Sequence, residues 1–429
     1  MATFNQQSLT ERLLLIRGLG VRRIPPPSLY YDDNTKLDLR MLNLIAACLT
    51  TGRSEGVAAA FDKSNGISLI LSKVEPILPT DLSATTEFLT TLTTTEHWYH
   101  LLPFLVRHTK DNMDNRVRRL HESIVEVFDD LLSAAAGYSL DRSLEREFPY
   151  SDSFRLKYPD EQPPSLPAML VDLIRSCRNI TLPFDLSPRA FLELYIIADT
   201  FRRSRFMRGL TNRQPLELPL KNKIERLQRR LGDICQYDGL ELLIKRVRQV
   251  GSIPFRWVGD EFARSGAVEI SPTALCAVER QTGLHLNAQD MITLNHFVDS
   301  SLPSLADGWD ARRVDLHPQV HPELRIILHL SPSLIKSSPS SWTHDSDVTI
   351  PIGSNRPSCV CCRQWIYEFN CVNGLKWGPN NTYPGKLRVD WAYPAPVDFV
   401  SITRANAAVK DKIAYKLVDS PLGYFAERD

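Results

Sequence analysis

Apolar residues recur at helical spacing over Leu37 to Leu49, Val117 to Ala135, Arg189 to Met207 and Ile224 to Val250. Each stretch carries a stripe that must be buried against a neighbour, so the first two thirds of the chain are expected to fold as one or two helical domains. Pro25-Pro26-Pro27 interrupts the pattern early, and Tyr158 to Pro167, with four prolines, reads as a linker. No repeat at a fixed period stands out, which argues against a solenoid. Beyond about Ser300 the texture changes: a helix is expected over His321 to Leu330, an extended run over Val348 to Ile352, a second helix from Pro357 to about Asn370, and a strand over Lys386 to Tyr393. The Ser/Thr-rich stretch Ser331 to Ser346 reads as a loop. The expected fold class is α + α/β: a helical region over 1–160, a helical and partly basic region over 161–300, and an α/β domain over 301–429 with helices packed on a mixed sheet.

Composition narrows the function classes more than it changes this division. At 43% apolar and 24% charged residues the chain belongs with globular proteins and not with disordered or fibrous ones. A formal net charge of +1 excludes a generally basic nucleic-acid binder, so any electrostatic steering must be local. The richest basic stretch runs from Arg202 to Arg248, but Glu225, Asp233, Asp238 and Glu241 dilute it and favour a solvated helical face over a phosphate-binding one. Met1 to Thr10 lack the basic and apolar parts of a signal peptide, and no run of about 18 apolar residues follows. The expectation is an intracellular protein, cytoplasmic or nuclear, with no membrane partner; its oligomeric state is open.

Cysteine usage points to chemistry. Of the eight cysteines, Cys48, Cys177, Cys235 and Cys276 are scattered through apolar helical segments and read as small buried hydrophobes. Cys359, Cys361, Cys362 and Cys371 crowd together, which in a reducing compartment suggests metal or redox chemistry. Cys359 and Cys362 lie three apart at a helix start, with Ser358 a fair N-cap, so both thiols can address one metal and the helix dipole favours their ionised form. Upstream, His321 and Glu323 straddle Pro322, a residue suited to the first helical position, and both can face one cavity from the helix mouth. One imidazole and two thiolates would neutralise a zinc ion and leave a fourth position open, the mark of a catalytic site, while Glu323 could move a proton without being a ligand. Cys361, one helical step away, is expected to be buried and not ligating.

Blander readings stay open for the same residues. His321 and Glu323 can be a surface histidine and a first-turn glutamate favoured by the helix dipole. Cys359 and Cys362 can belong to a structural zinc knot with Cys371 and one of His317, His329 or His344, or to a thiol-disulfide exchange motif. His329 itself reads as a packed or capping residue. Trp365, Tyr367, Phe369, Trp377, Trp391 and Tyr393 are mostly core candidates, although such rings can also stack on bases.

The order H-x-E, strand, C-x-x-C resembles the zinc-dependent cytidine deaminase superfamily, and more narrowly the nucleic acid or nucleotide deaminase-like proteins of fungi and some intracellular bacteria. Val320 to Leu330 matches the first active-site helix, Ile350 to Ser354 the following strand, and Ser358 to Trp365 the cysteine helix; Gly385-Lys386, Trp391 and Pro394 are similar to a downstream part of those proteins. Two departures stand out: Ser358 occupies the place of the proline before the first cysteine, with Pro357 one position earlier, and Cys361 adds a further thiol. The resemblance covers about the last quarter of the chain. It implies Zn²⁺ held by His321, Cys359 and Cys362, Glu323 as the catalytic residue, and hydrolytic deamination of a nucleobase in a nucleotide or single-stranded nucleic acid. The alternative is a catalytically inactive deaminase-fold interaction module with a structural zinc site, its helical region binding a protein partner.

Overall fold

A computed structural model of the chain describes residues 5–18, 31–52, 56–138, 144–149, 153–157, 165–180, 186–212, 218–259, 267–282, 292, 309, 316–337, 349–379, 387–394 and 400–418. Pro25 to Pro27, Gly385-Lys386, His344 and most of the proline-rich stretch after Tyr158 lie outside the described residues. The chain divides into two compact units: Met1–Ala47, Glu55–Pro79 and Ile253–Asp429 form one, Cys48–Ser54 and Thr80–Ser252 the other. This differs from a division into three consecutive segments. Long-range strand pairing sets the grouping, and sequence texture does not report it.

The first unit is built on a mixed sheet of five strands, β1 (Val57–Asp62), β2 (Ser68–Lys73), β3 (Phe255–Val258), β4 (Ile350–Ser354) and β5 (Trp377–Pro379), in the order β3-β2-β1-β4-β5. β1 pairs antiparallel with β2 and β4, whereas β2–β3 and β4–β5 are parallel. β4 is thus flanked by β1, from the N-terminal part of the chain, where mainly helix was expected, and by β5, from its C-terminal part. The reason is local: Ala58-Ala59-Ala60 has high helix and low strand propensity. In the sheet these alanines are fully buried, with Ala58 and Ala60 turned to the same core as Ile70 and Ile352. Their small side chains let helices approach the sheet closely.

Helices flank this sheet. Pro322–Ser337 packs on β1, β2 and β3, and Val360–Asn373 packs on β5 and on Val400–Val418, which in turn contacts the N-terminal helix Gln6–Gly18. The helix Asp33–Cys48 lies so close to β4 that a Cβ at Gly353 would overlap the backbone of Leu42 and Asn43, and Asn43 Oδ1 accepts the Ser354 amide at 2.8 Å. Buried Glu11 fixes the N-terminal helix from within: it accepts the Ser271 amide and hydroxyl, both at 2.7 Å, and Gln281 Nε2 at 2.7 Å, and pairs with Arg280 at 3.1 Å. The C-terminal segment expected as a strand is instead a turn at residues 389–390 followed by an isolated parallel bridge between Gln319 and Trp391, with Lys386 outside the described residues. Ser331 to Ser337 continue the preceding helix, and the remainder of that expected loop lies outside the described residues.

The second unit is helical among its described residues, but three of the long expected helices are broken. The first is split into Lys110–Val125 and Phe128–Ala136, the second into Pro188–Arg203 and Arg205–Asn212, and the third by a 3₁₀ turn, Gln236–Gly239, between Leu218–Cys235 and Leu240–Val250. At Ser204 the backbone leaves the helical region with ψ 143°, and its hydroxyl accepts the Met207 amide at 3.1 Å, capping the next helix. A periodic apolar pattern survives such breaks, so periodicity alone overruns them. Burial pushes the thiols of Cys48 and Cys177 up to about 12, as expected for inert core cysteines, whereas Cys276 is only half-buried. Several residues of the basic stretch are ion-paired: Arg226 with Glu126 at 3.0 Å, Arg230 with Asp233 at 3.1 Å, and Arg203 with buried Asp199 at 2.7 Å. Among the described residues no helix is long and apolar enough to cross a membrane.

Close packing of the Asp33–Cys48 helix on β4 is testable. Gly353→Ala is expected to destabilise the sheet-containing unit by about 1–3 kcal/mol through overpacking, read as a lower denaturation midpoint. An unchanged midpoint contradicts that packing.

Candidate metal centre

Val320 is buried and leads the chain into the helix Pro322–Ser337. The His321 carbonyl accepts the amides of Leu324 at 3.0 Å and Arg325 at 3.2 Å, so His321 holds the N-cap position, with Pro322 first in the helix as its fixed φ favours. Arg325 locks this end down: its guanidinium is buried and donates to the carbonyls of Val320 at 2.8 Å, Lys73 at 2.8 Å and Val74 at 3.3 Å. The mouth of the helix is thereby fixed against the end of β2. Both His321 and Glu323 are buried there.

The second half of the centre follows β4. The N-cap of the helix Val360–Asn373 is Cys359 and not Ser358: Cys359 has φ −71° and ψ 164°, and its sulfur accepts the Cys362 amide at 3.4 Å. A sulfur at the positive end of a helix gains the stabilisation an N-cap oxygen would. Ser358 is released for another task. It is fully buried, and its hydroxyl donates to Glu323 Oε1 at 3.0 Å.

His321 Nδ1 lies 3.5 Å from Cys359 Sγ and 3.2 Å from Cys362 Sγ, and the three donor atoms all fall within 4.8 Å of one another. Bond lengths of about 2.0–2.3 Å at tetrahedral angles require nitrogen–sulfur separations of roughly 3.5 Å, so the spacing fits one shared ion. This buried group can hold a metal. Among the described residues it is the one such group; Cys371 and His317 are exposed, His329 is half-buried, and His344 lies outside the described residues. Cys361 is buried beside the group without belonging to it. Glu323 stands outside the donor set yet lines the same open cleft, together with His321, Cys359, Asn355, Arg356 and Arg388. The empty volume of that cleft, solvent at its mouth included, is about 330 Å³.

Charge within the centre is strongly coupled. Burial disfavours a charged imidazole, but the Cys359 sulfur, Asp390 and Glu323 outweigh it and push His321 up to about 10. Burial would likewise raise Cys359, yet hydrogen bonds from Cys361 and Cys362 and the His321 charge hold it well below an ordinary thiol. Burial and the Cys359 charge drive Cys362 the other way. Two groups that sequence reasoning missed complete the surroundings: Asp390 Oδ1 lies 3.7 Å from His321 Nε2, and Arg388 grips Asp390 through two nitrogens, its Nε at 3.0 Å. Despite burial, which raises it, the Asp390 carboxyl is held below the usual carboxylate range by His321 and Arg388. The available signal was the position of Asp390 just before Trp391, already singled out.

The candidate stacking rings are mainly core. Trp365, Phe369, Trp377 and Trp391 are buried, and Trp365 stacks on Phe369 with centroids 4.7 Å apart while its indole N–H donates to Asn406 at 2.9 Å. Tyr367 is exposed, at 40%, and Tyr393 is half-buried against Trp391.

Purified protein is expected to carry near-stoichiometric metal that is lost in His321→Ala, Cys359→Ser and Cys362→Ser but kept in Cys371→Ser, as measured by elemental analysis. Retention in His321→Ala with loss in Cys371→Ser contradicts the centre. Because the Cys359 sulfur, Asp390 and Glu323 favour the protonated imidazole, Nδ1 must release a proton to bind metal. Apparent affinity is therefore expected to rise from about pH 6 to 8 with net proton release, read by calorimetry in buffers of different ionisation heat. Affinity that falls over that range contradicts the charge assignment.

No protein-family model, curated protein or solved structure matches the chain.

Proposed function

We propose that the chain is a zinc-dependent hydrolytic deaminase acting on a nucleobase in a nucleotide or nucleic acid, within the deaminase-like family its motifs resemble. The observation that carries the reading is a buried His/Cys/Cys donor set with a carboxylate, Glu323, outside that set but lining the same open cleft. Two thiolates and an imidazole favour zinc over the hard cations, which take oxygen donors. When bound with three protein ligands, zinc supplies Lewis-acid activation of water.

The chain's own residues then have defined tasks. Deamination replaces an exocyclic amine by a carbonyl: water adds to the amidine-like carbon, the carbon–nitrogen bond breaks, and ammonia leaves. One proton of the water goes to the ring nitrogen as the oxygen adds, and the other must reach the departing amine so that it leaves as ammonia. Glu323 is suited to carry these protons, since it reaches the cleft without being tied up as a ligand. The Ser358 hydroxyl, donating to Oε1, holds one carboxylate oxygen so that the other can take and return the proton. Gly56, Val57 and Val74 contribute uncharged lining to the cleft.

Glu323→Gln is expected to keep its metal and lower turnover by at least about 10²-fold, as loss of a general acid/base does. The assay is mass spectrometry for amine-to-carbonyl exchange after incubating zinc-loaded protein with nucleosides, nucleotides and single-stranded oligonucleotides. No exchange in any pool by the zinc-loaded wild type overturns the reading and leaves a metal-bearing interaction module.

A further inference from the structure

We infer that Asp390 is a positioning residue that fixes the tautomer and orientation of His321, presenting Nδ1 to the metal. The inference rests on the metal-centre reading above. A neutral imidazole carries its proton on one nitrogen and offers a lone pair on the other. Because Nδ1 faces both sulfurs, at 3.5 Å and 3.2 Å, the proton of the ligating ring must sit on Nε2. That atom is buried and makes no hydrogen bond, while a carboxylate oxygen of Asp390 waits 3.7 Å away. A buried N–H without an acceptor is costly, and a shift of about 0.8 Å brings this pair to an ordinary hydrogen-bond length. Asp390 is thus the acceptor within reach of the Nε2 proton of a ring whose Nδ1 would hold the metal.

What distinguishes Asp390 from a casual neighbour is how firmly it is registered to His321. Its carbonyl accepts the Gln319 amide at 2.7 Å, and the Gln319 carbonyl accepts the Ala392 amide at 2.9 Å, so the segment is bonded to the residue two places before His321. From the other side, Gln6 of the N-terminal helix donates to the Trp391 carbonyl at 3.0 Å and accepts the Tyr393 amide at 3.0 Å. Arg388 fixes the carboxylate plane, with Nε at 3.0 Å, and keeps it an acceptor. Backbone and side chain of Asp390 are both set before any metal arrives. A carboxylate behind a ligating histidine orients the ring and raises its basicity, and losing one lowers metal affinity by about 10–100-fold.

The test is zinc affinity of the full chain, by competition with a chromophoric chelator, for wild type, Asp390→Ala and Asp390→Asn. A graded loss is expected: about 100-fold for alanine, and about 10-fold for asparagine, whose amide oxygen still accepts from Nε2. Asparagine conserves shape, so it decides the matter if the alanine variant does not fold. In zinc-loaded wild type, ¹⁵N spectra of the imidazoles are expected to put the His321 proton on Nε2. If folded Asp390→Asn and Asp390→Ala both bind zinc within about twofold of wild type, or the His321 proton lies on Nδ1, the inference is overturned while the centre stands. If wild type binds no zinc, the reading beneath it falls as well.

Discussion

Burying three ionisable donors in one place is the constraint around which this chain is organised. His321, Cys359 and Cys362 lie within a few ångströms of each other with almost no access to water. An uncompensated charge at such depth costs several kcal/mol. The fold meets that cost with helix ends. His321 caps one helix and Cys359 caps the other, so the sulfur sits where backbone amides point outward, and the imidazolium and thiolate can offset each other without metal. A metal ion could take the proton's place in that arrangement, so the same geometry can serve as a binding site.

Everything that holds the two helix mouths together is remote in sequence. β4 delivers the cysteines only because β1 and β2 pair beside it, with Asn355 of the β4 exit accepting the Val57 amide at 2.9 Å. Arg325 ties the histidine side to the end of β2 through buried carbonyl contacts. Gln6 and Glu11 of the first helix secure, respectively, the segment that carries Asp390 and the helix Ala274–Thr282. The centre therefore depends on a unit assembled from both ends of the chain, and removing the N-terminal strands would expose it.

What could be read from the residues follows from how local each signal is. His321, Glu323, Cys359 and Cys362 announce themselves because each pair sits at one helix start, where neighbours in sequence are neighbours in space. β1 was illegible because three alanines favour a helix until sheet neighbours bury them on both faces. Asp390 and Arg388 were missed for a different reason: they reach His321 through the Gln319–Trp391 bridge, a pairing that no periodicity encodes. Ser358 was recognised as polar and well placed, but capping passed to Cys359, whose sulfur already faces the amide of Cys362, and the serine turned to Glu323 instead.

The central claim is that one metal is shared by one imidazole and two thiolates with a position left open. X-ray absorption at the zinc edge of the purified protein tests it most directly. Two sulfur scatterers at about 2.3 Å are expected, with nitrogen or oxygen scatterers at about 2.0–2.1 Å, one of them an imidazole. A shell of three or four sulfurs, or one with no sulfur at all, would contradict it.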